Sequence, residues 1–274
     1  MKKRGYISSP CNFFSKNRRG QVTIFIIIAV VIVALIATFL ILRNNAVIPQ
    51  IGGQQEQNPA SFLQSCMEKK VEEATKLISS QGGYVNNPLN KTFKFTNENS
   101  AADISYLCYT LDYYVPCVNQ EPMLIQHLKK EVKDYISDDV KNCFDELTAS
   151  LNQQGYTVDS KYNGFDIGLT EGRLEVLIDG KISLTKTGAT SNYENLNISF
   201  QSKFYDTALV VQEIVSQEAR FCNFEYIGYM LLYPQWEISK LRTSDSTIIY
   251  TVQNKNSLDA FRFAIRGCAI RPGL

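Results

Sequence analysis

Residues 22–42 read VTIFIIIAVVIVALIATFLIL, a run of 21 residues with no charge and two hydroxyl side chains. An α-helix rises about 1.5 Å per residue, so this run would extend about 31 Å, the thickness of the hydrocarbon core of a bilayer. The pattern predicts a transmembrane helix at 21–43. That helix divides the chain of 274 residues into a basic N-terminal segment, 1–20, and a long C-terminal part.

The charges around this run predict its orientation. Arg43 alone follows it directly, whereas six basic residues and no acidic residue precede it: Lys2, Lys3, Arg4, Lys16, Arg18 and Arg19. By the positive-inside rule, the N-terminus lies in the cytoplasm and residues 44–274 lie outside. Subtracting these seven residues from the 28 Lys and Arg leaves 21 against 27 Asp and Glu, so the outer part carries a formal net charge of −6. Such a surface argues against nucleic acid as a partner.

The cysteines are consistent with an exported domain. Cys11 falls on the cytoplasmic side and six cysteines fall outside, and an even number there indicates disulfide bonds. The spacing leaves the connectivity open. We expect Cys66–Cys143 between two helices, Cys108–Cys117 across a local loop and Cys222–Cys268 near the C-terminus. Buried free thiols are the alternative.

The junction before the apolar run resembles the class III signal peptides of archaeal type IV pilin-like proteins. It places Gly20 between basic residues and the run, so the resemblance implies cleavage between Gly20 and Gln21. However, Phe25 stands where pilins usually carry glutamate. Pro49 and the pair Gly52-Gly53 would also break the long helix that a pilin continues into its head domain. We interpret 44–58 as a flexible linker and 59–274 as a tethered extracytoplasmic domain, organised as one domain or two close subdomains.

Three helical blocks are predicted in this domain. The first starts at the cap Asn58-Pro59, ends at Gly82-Gly83, and carries one apolar stripe, Leu63, Met67, Val71, Ala74 and Ile78. The second covers about 121–151, with a new cap at Ser137-Asp138-Asp139. The third covers about 207–219.

Alternating runs between the helices predict strands. Two hairpins are expected, one turning at Asp179-Gly180 and one at Ser244-Asp245-Ser246. Short turns between strands, with helices in separate blocks, predict an α+β domain with a largely antiparallel sheet. The expected strands are Lys91–Phe95, Ile104–Tyr109, Arg173–Ile178, Lys181–Thr187, Asn195–Tyr205, Glu225–Leu232, Ser239–Thr243, Thr247–Gln253 and Phe261–Ile270.

Several stretches resemble membrane-anchored proteins of small-genome archaea, a family with no assigned activity. The stretches are RGQVTIFIIIA, SCMEKKVEEATKLISSQGGYV, NCFDEL, YNGFDIGLTEGRLEVLIDGKISL and FRFAIRGCAI, which extend over most of the chain. The resemblance implies a membrane anchor. It implies no catalytic residue and no cofactor.

Motifs of known chemistry are absent from the sequence. It contains no GxSxG, P-loop, HExxH or glycine-rich dinucleotide turn. The single histidine, His127, is interpreted as a surface helix residue rather than a metal ligand. The acidic pairs Asp138-Asp139 and Asp145-Glu146 are interpreted as solvated helix faces, although two carboxylates alone can hydrolyse glycosides. We therefore predict no catalytic, cofactor or metal site.

Aromatic stretches and two glycosylation sequons are the remaining candidates. Tyr106–Tyr114 and the group Tyr226, Tyr229, Tyr233 and Trp236 are suited either to strand packing or to binding a protein or glycan. The sequons place candidate glycans on Asn90 and Asn197.

Three functional hypotheses follow. The leading one is a single-pass, disulfide-stabilised surface protein that contacts the bilayer through residues 22–42 and has a structural or binding role toward a surface protein or glycan. The alternatives are a type IV pilin-like filament or accessory subunit and a carboxylate-dependent ectoenzyme. The ectoenzyme requires a pocket with two inward-facing acids from separate elements.

Overall fold

The computed structural model describes residues 27–33, 58–95, 100–257 and 260–271. The chain divides into two units, Met1–Glu56 and Gln57–Leu274. In the first unit, residues 27–33 are helical (α1). No helix among the described residues is both long enough and apolar enough to cross a bilayer. Most of the predicted span 22–42, and the predicted cleavage site at Gly20 and Gln21, lie outside the described residues.

The second unit is an α+β domain, as predicted. Its helices are α2 (Pro59–Ser80), α3 (Leu124–Gln153), α4 (Phe204–Phe221) and α5 (Tyr226–Leu232). Its strands are β1 (Thr92–Phe93), β2 (Ala102–Asp103), β3 (Tyr106–Tyr109), β4 (Val118–Asn119), β5 (Thr157–Thr170), β6 (Arg173–Lys186), β7 (Ala189–Gln201), β8 (Trp236–Arg242), β9 (Ile248–Asn254) and β10 (Ala260–Arg266).

The strands of the described residues form three sheets. The orders are β4-β3-β10-β9-β8, β5-β6-β7 and β1-β2. Only β3 and β10 pair in parallel among these named strands. The predicted antiparallel character is therefore confirmed, with one parallel pair that places β3 beside β10, the central strand of the five-stranded sheet.

The first helix of the domain begins where the sequence predicts. The Oδ1 of Asn58 accepts a hydrogen bond from the Ala60 amide at 3.1 Å, and Pro59 takes the first helical position. The predicted stripe from Leu63 to Ile78 is buried. It belongs to one continuous apolar cluster that includes side chains of α2, α3, α4 and both larger sheets.

The predicted hairpin at Asp179-Gly180 is wrong. Strand β6 continues through this dipeptide. The pairing register with β7 shifts between Ile178 and Lys181, so Asp179-Gly180 forms a β-bulge within the ladder instead of a turn. The reversal instead uses Thr187 and Gly188, with φ of 51° and 85°. Positive φ at both turn positions matches the twist of a two-residue hairpin. A β-bulge and a hairpin turn both favour glycine, so the dipeptide alone does not distinguish them.

Three other expectations also fail. α3 is continuous through Ser137, because the buried positions on either side keep the helical spacing without a break. The predicted strand Glu225–Leu232 is helix α5, in which a seven-residue apolar run has no strand partner. Strand β5 was not predicted, because only its second half alternates with buried apolar side chains. The end of the predicted strand Asn195–Tyr205 and the end of Phe261–Ile270 also differ, since α4 begins at Phe204 and β10 ends at Arg266.

Three cysteine pairs lie at bonding distance, and they are the pairs expected from the sequence. The Cα–Cα distances are 5.9 Å for Cys66–Cys143, 5.3 Å for Cys108–Cys117 and 5.9 Å for Cys222–Cys268. The first bond ties α2 to α3, the second closes the loop between β3 and β4, and the third ties the end of α4 to the segment after β10. The first and third bonds therefore join elements that are not paired in one ladder, whereas the second reinforces the paired strands β3 and β4.

Candidate ligand-binding site

An open cavity of about 950 Å³ lies between the β5–β6 turn, α4, α5 and the first residue of β8. Its lining is mixed, with aromatic, acidic and aliphatic side chains from separate parts of the chain. The aromatic residues are Tyr205, Tyr229, Tyr233 and Trp236; the acidic residues are Glu171, Asp206 and Glu213; Leu169, Leu209 and Val210 are the aliphatic residues. A cavity of this size and composition is typical of ligand sites.

The aromatic wall is built on α5 and the turn that follows it. Tyr229 and Tyr233 lie one helical turn apart, with ring centroids 4.7 Å apart and an interplanar angle of 42°. Tyr229 also packs against the buried Phe224, at 5.4 Å. The amide of Trp236 donates to the Tyr233 carbonyl at 3.1 Å, which orders the turn into β8. The wall is therefore fixed by packing and backbone hydrogen bonds.

The acids of the cavity differ in their partners. Asp206 lies in the first turn of α4, and its carboxylate pairs with Lys203 at 3.0 Å, so these two charges neutralise each other. The Glu213 carboxylate accepts a hydrogen bond from the side-chain amide of Gln217 at 2.6 Å. Glu171 lies in the exposed turn before β6. No ion pair joins Glu171 or Glu213 to a cation within the described part of the chain. The cavity consequently keeps an excess of negative charge.

Burial, followed by the neighbouring Tyr233 and Glu213, raises the pKa of the Tyr229 phenol. A raised phenol pKa means that Tyr229 is neutral and can both donate and accept at physiological pH. Glu213 and both rings line the same cavity. The aromatic wall and the acidic residue thus belong to one site.

The other predicted aromatic stretch divides into two parts. Tyr106 is buried, and its hydroxyl lies 3.0 Å from the Thr247 hydroxyl, which confirms the packing interpretation for that residue. Tyr113 and Tyr114 are exposed in the loop that Cys108–Cys117 closes, where the Tyr114 amide donates to the Ala269 carbonyl at 3.0 Å. Neither tyrosine lines the cavity.

A buried polar cluster lies beside the cavity but not in its lining. Oε1 of Glu218, a residue 3 % exposed, accepts from the Phe224 amide at 3.2 Å, from Lys240 Nζ at 2.9 Å and from the Tyr250 hydroxyl. Burial and then this carboxylate raise the pKa of Tyr250. Lys240 Nζ also donates to Asn223 Oδ1 at 3.2 Å. The cluster therefore fastens α4 to β8 and β9, and none of its residues lines the cavity.

The predicted acidic pairs of α3 face solvent. Asp138, Asp145 and Glu146 are exposed and Asp139 is half-buried. The structure brings neither pair into the cavity.

His127 is not the surface residue that the sequence predicted. Its side chain is 13 % exposed, Nε2 lies 2.8 Å from the Gly83 carbonyl, and the ring packs on Tyr84 at 4.4 Å. His127 therefore fastens the chain after α2 to α3. Among the described residues no group of three or more His, Cys, Asp or Glu is arranged to hold a metal ion.

Both sequon asparagines are exposed. Asn90 lies in the turn before β1 with φ of 49°, and Asn197 lies on β7, an edge strand of its sheet. Exposure leaves both side chains accessible to modification, and glycosylation stays a prediction.

Sequence reasoning named Tyr229, Tyr233 and Trp236 as residues suited either to strand packing or to binding, and it missed the acids. Glu171, Asp206 and Glu213 carry no motif, and their only local signal is a position in a turn or on a helix face. The site depends on a contact between the β5–β6 turn and α4 that no periodicity reports. Comparison of the chain with protein-family models, with curated proteins and with solved structures finds no match.

Proposed function

We propose that the chain is a membrane-anchored surface protein whose C-terminal domain binds a ligand in the cavity between α4, α5 and the β5–β6 turn. The observation that carries the binding role is the lining of that cavity, in which four aromatic residues and three acids from separate elements converge. Rigid aromatic side chains provide a large contact area at a low entropic cost.

The anchor and its orientation rest on the sequence. The run 22–42 has the length and composition of a membrane span, and basic residues flank it mainly on the N-terminal side. Three disulfide pairs in the domain support an oxidising compartment.

The cavity supports binding better than hydrolysis. A glycosidase uses two carboxylates of different protonation state across the scissile bond. Here Asp206 is paired with Lys203, whereas Glu171 and Glu213 are exposed residues, so the described residues that line the cavity include no inward-facing pair of acids. The filament alternative requires cleavage at Gly20, a position outside the described residues.

The topology is tested with tags at both ends of the full chain. Protease added to intact cells should remove a C-terminal tag and leave an N-terminal tag intact. Protection of the C-terminal tag would refute the proposed surface location. Sequencing the mature N-terminus in the same experiment distinguishes a start at Gln21, which favours the pilin-like alternative, from a start at Met1.

The binding role is tested with the one tryptophan of the chain, Trp236, which lines the cavity. In nanodiscs whose scaffold protein lacks tryptophan, its intrinsic fluorescence therefore reports on the surroundings of this one residue. The full chain in lipid nanodiscs is titrated with a panel of peptides and oligosaccharides that lack tryptophan. Saturable changes with at least one class support a binding site, and no change with any class contradicts it.

A further inference from the structure

We infer that the ligand of this cavity is a basic polypeptide segment, in which a lysine or arginine side chain enters the aromatic and acidic cavity and neighbouring apolar residues lie on α5. This inference rests on the proposed function and names the chemistry of its partner. It is argued from the charge of the cavity, the geometry of its rings and the exposure of the adjacent helix.

Charge complementarity is the first argument. Among the described residues that line the cavity, Lys203 is the one cation, and it is already paired with Asp206, so Glu171 and Glu213 remain there as uncompensated negative charge. Carboxylates form their strongest hydrogen bonds with guanidinium or ammonium groups. A neutral sugar would leave both charges uncompensated. The formal charge of −6 on the outer part of the chain would also attract a basic partner at long range.

The aromatic wall is the second argument. The rings of Tyr229 and Tyr233 lie 4.7 Å apart, and Glu213 lines the same cavity. A cation above a tyrosine ring is attracted by the ring quadrupole, more strongly when the site is partly desolvated. Rings and a carboxylate together therefore favour an organic cation over an inorganic ion or a neutral ligand.

The surface of α5 indicates that the cation belongs to a polypeptide. This helix has no buried residue, and Leu231, Leu232 and Ile227 are 80 %, 77 % and 54 % exposed. The same helix contributes Tyr229 to the cavity. Leu232 lies three residues after Tyr229 and shares its side of α5, whereas Ile227 and Leu231 lie on the far side of the helix. Exposed apolar side chains around a polar recess are typical of protein interaction sites. A free amine would use the recess and leave these side chains uncovered.

The test uses the full chain in nanodiscs and three peptides of equal length. The probes are Gly-Leu-Lys-Leu-Arg-Leu-Gly and two versions in which both basic residues are replaced by glutamine or by glutamate. Trp236 fluorescence reports binding, and empty nanodiscs measure adsorption of the peptides to lipid. We expect the basic peptide to bind about tenfold more tightly than the glutamine peptide, and the glutamate peptide to bind least.

Variants locate the effect. E171Q/E213Q should reduce the affinity for the basic peptide to that for the glutamine peptide. The matched control D138N/D159N, which removes two exposed charges outside the cavity, should keep the preference. Y233A should weaken binding of the basic peptide and Y233F should retain it, because the ring rather than the hydroxyl faces the cation. L231S/L232S should lower the affinity for all three peptides by the same factor. The reason is that Leu231 and Leu232 contact the leucines that the three peptides have in common.

Several outcomes would overturn the inference. Equal affinity for the basic and glutamine peptides refutes the cationic specificity. An equal loss in E171Q/E213Q and D138N/D159N assigns the preference to overall charge instead of this site. A response of Trp236 to oligosaccharides but to none of the peptides refutes the polypeptide partner while the proposed binding role stands. A response to neither class refutes both.

Discussion

Replacing Lys240 with methionine tests whether the buried cluster around Glu218 holds the domain together. The substitution keeps the aliphatic stem but removes the ammonium group that lies 2.9 Å from Glu218 Oε1. Both side chains are shielded from water, with 14 % and 3 % exposure. At an effective dielectric constant of about 20, two unit charges at this distance attract each other by about 6 kcal/mol, and desolvation offsets much of that attraction.

Loss of one partner leaves a charge in the interior, which costs about 3–5 kcal/mol in comparable sites. Glu218 would still accept from the Phe224 amide and the Tyr250 hydroxyl. We therefore expect the lower end of this range, about 3 kcal/mol, for K240M. E218Q should also destabilise, because the ammonium group then lacks its counter-ion. In the double variant K240M/E218Q neither charge is present, so its loss of stability should be smaller than the sum of the two single losses.

The assay is chemical denaturation of the full chain under oxidising conditions, followed by circular dichroism. A coupling energy of about 2 kcal/mol between the two positions is expected from the double-mutant cycle. The control cycle is K181M/E194Q, an exposed cross-strand pair of β6 and β7 at 3.0 Å, for which no measurable coupling is expected. Additive effects at Lys240 and Glu218, or equal coupling in both cycles, would refute the reasoning.

Four further predictions concern the framework, each measured as a change in the denaturation midpoint unless stated. C66S/C143S should cost about 4 kcal/mol, since this bond closes 77 residues of chain; an unchanged midpoint would contradict it. N58A should cost about 1 kcal/mol by removing the cap of α2. G82A should cost about 2 kcal/mol, because φ is +76° and a Cβ would lie 2.9 Å from the Ser105 carbonyl oxygen; the control G155A has positive φ but open space and should cost less. Burial, and then the Glu218 carboxylate, raise the pKa of the Tyr250 phenol in the folded domain above its unfolded value of 10.0. The neutral phenol therefore stabilises the fold. This contribution is fully present below pH 10.0 and is lost as the pH rises through the folded pKa. Absorbance at 295 nm measures tyrosine ionisation. The difference in this absorbance between the wild type and Y250F should appear only at the pH at which the domain unfolds.

Much of the helical framework could be predicted because its signals are local. Asn58 caps α2 through an amide two residues away, and the buried stripe of that helix repeats at the helical period. The hairpin around Asp245 is also local, since β8 and β9 pair in register on either side of it. The three cysteine pairs agree with the expected ones, although the spacing of six cysteines left the connectivity open.

The failures share a physical cause. The strand β5 has an exposed first half and depends on β6 for its hydrogen bonds, so its own sequence carries half of the usual alternation. Gly180 favours a turn as strongly as a bulge, and only the pairing of β6 with both neighbours selects the bulge. In α5 an apolar run is helical and does not add to the edge strand β8 that follows it, a choice that its own seven residues do not report.

By itself, the sequence determined a charge-free run of membrane length, its basic flank and an α+β domain rich in cysteine pairs, because these properties depend on composition and on neighbours a few residues apart. The tertiary structure alone decided the cavity. Glu171, Glu213 and Trp236 are far apart in the chain and meet only when the β5–β6 turn, α4 and the start of β8 pack together. Burial of the apolar faces of those elements sets that arrangement, and the acids and rings of the candidate site are carried into place by it.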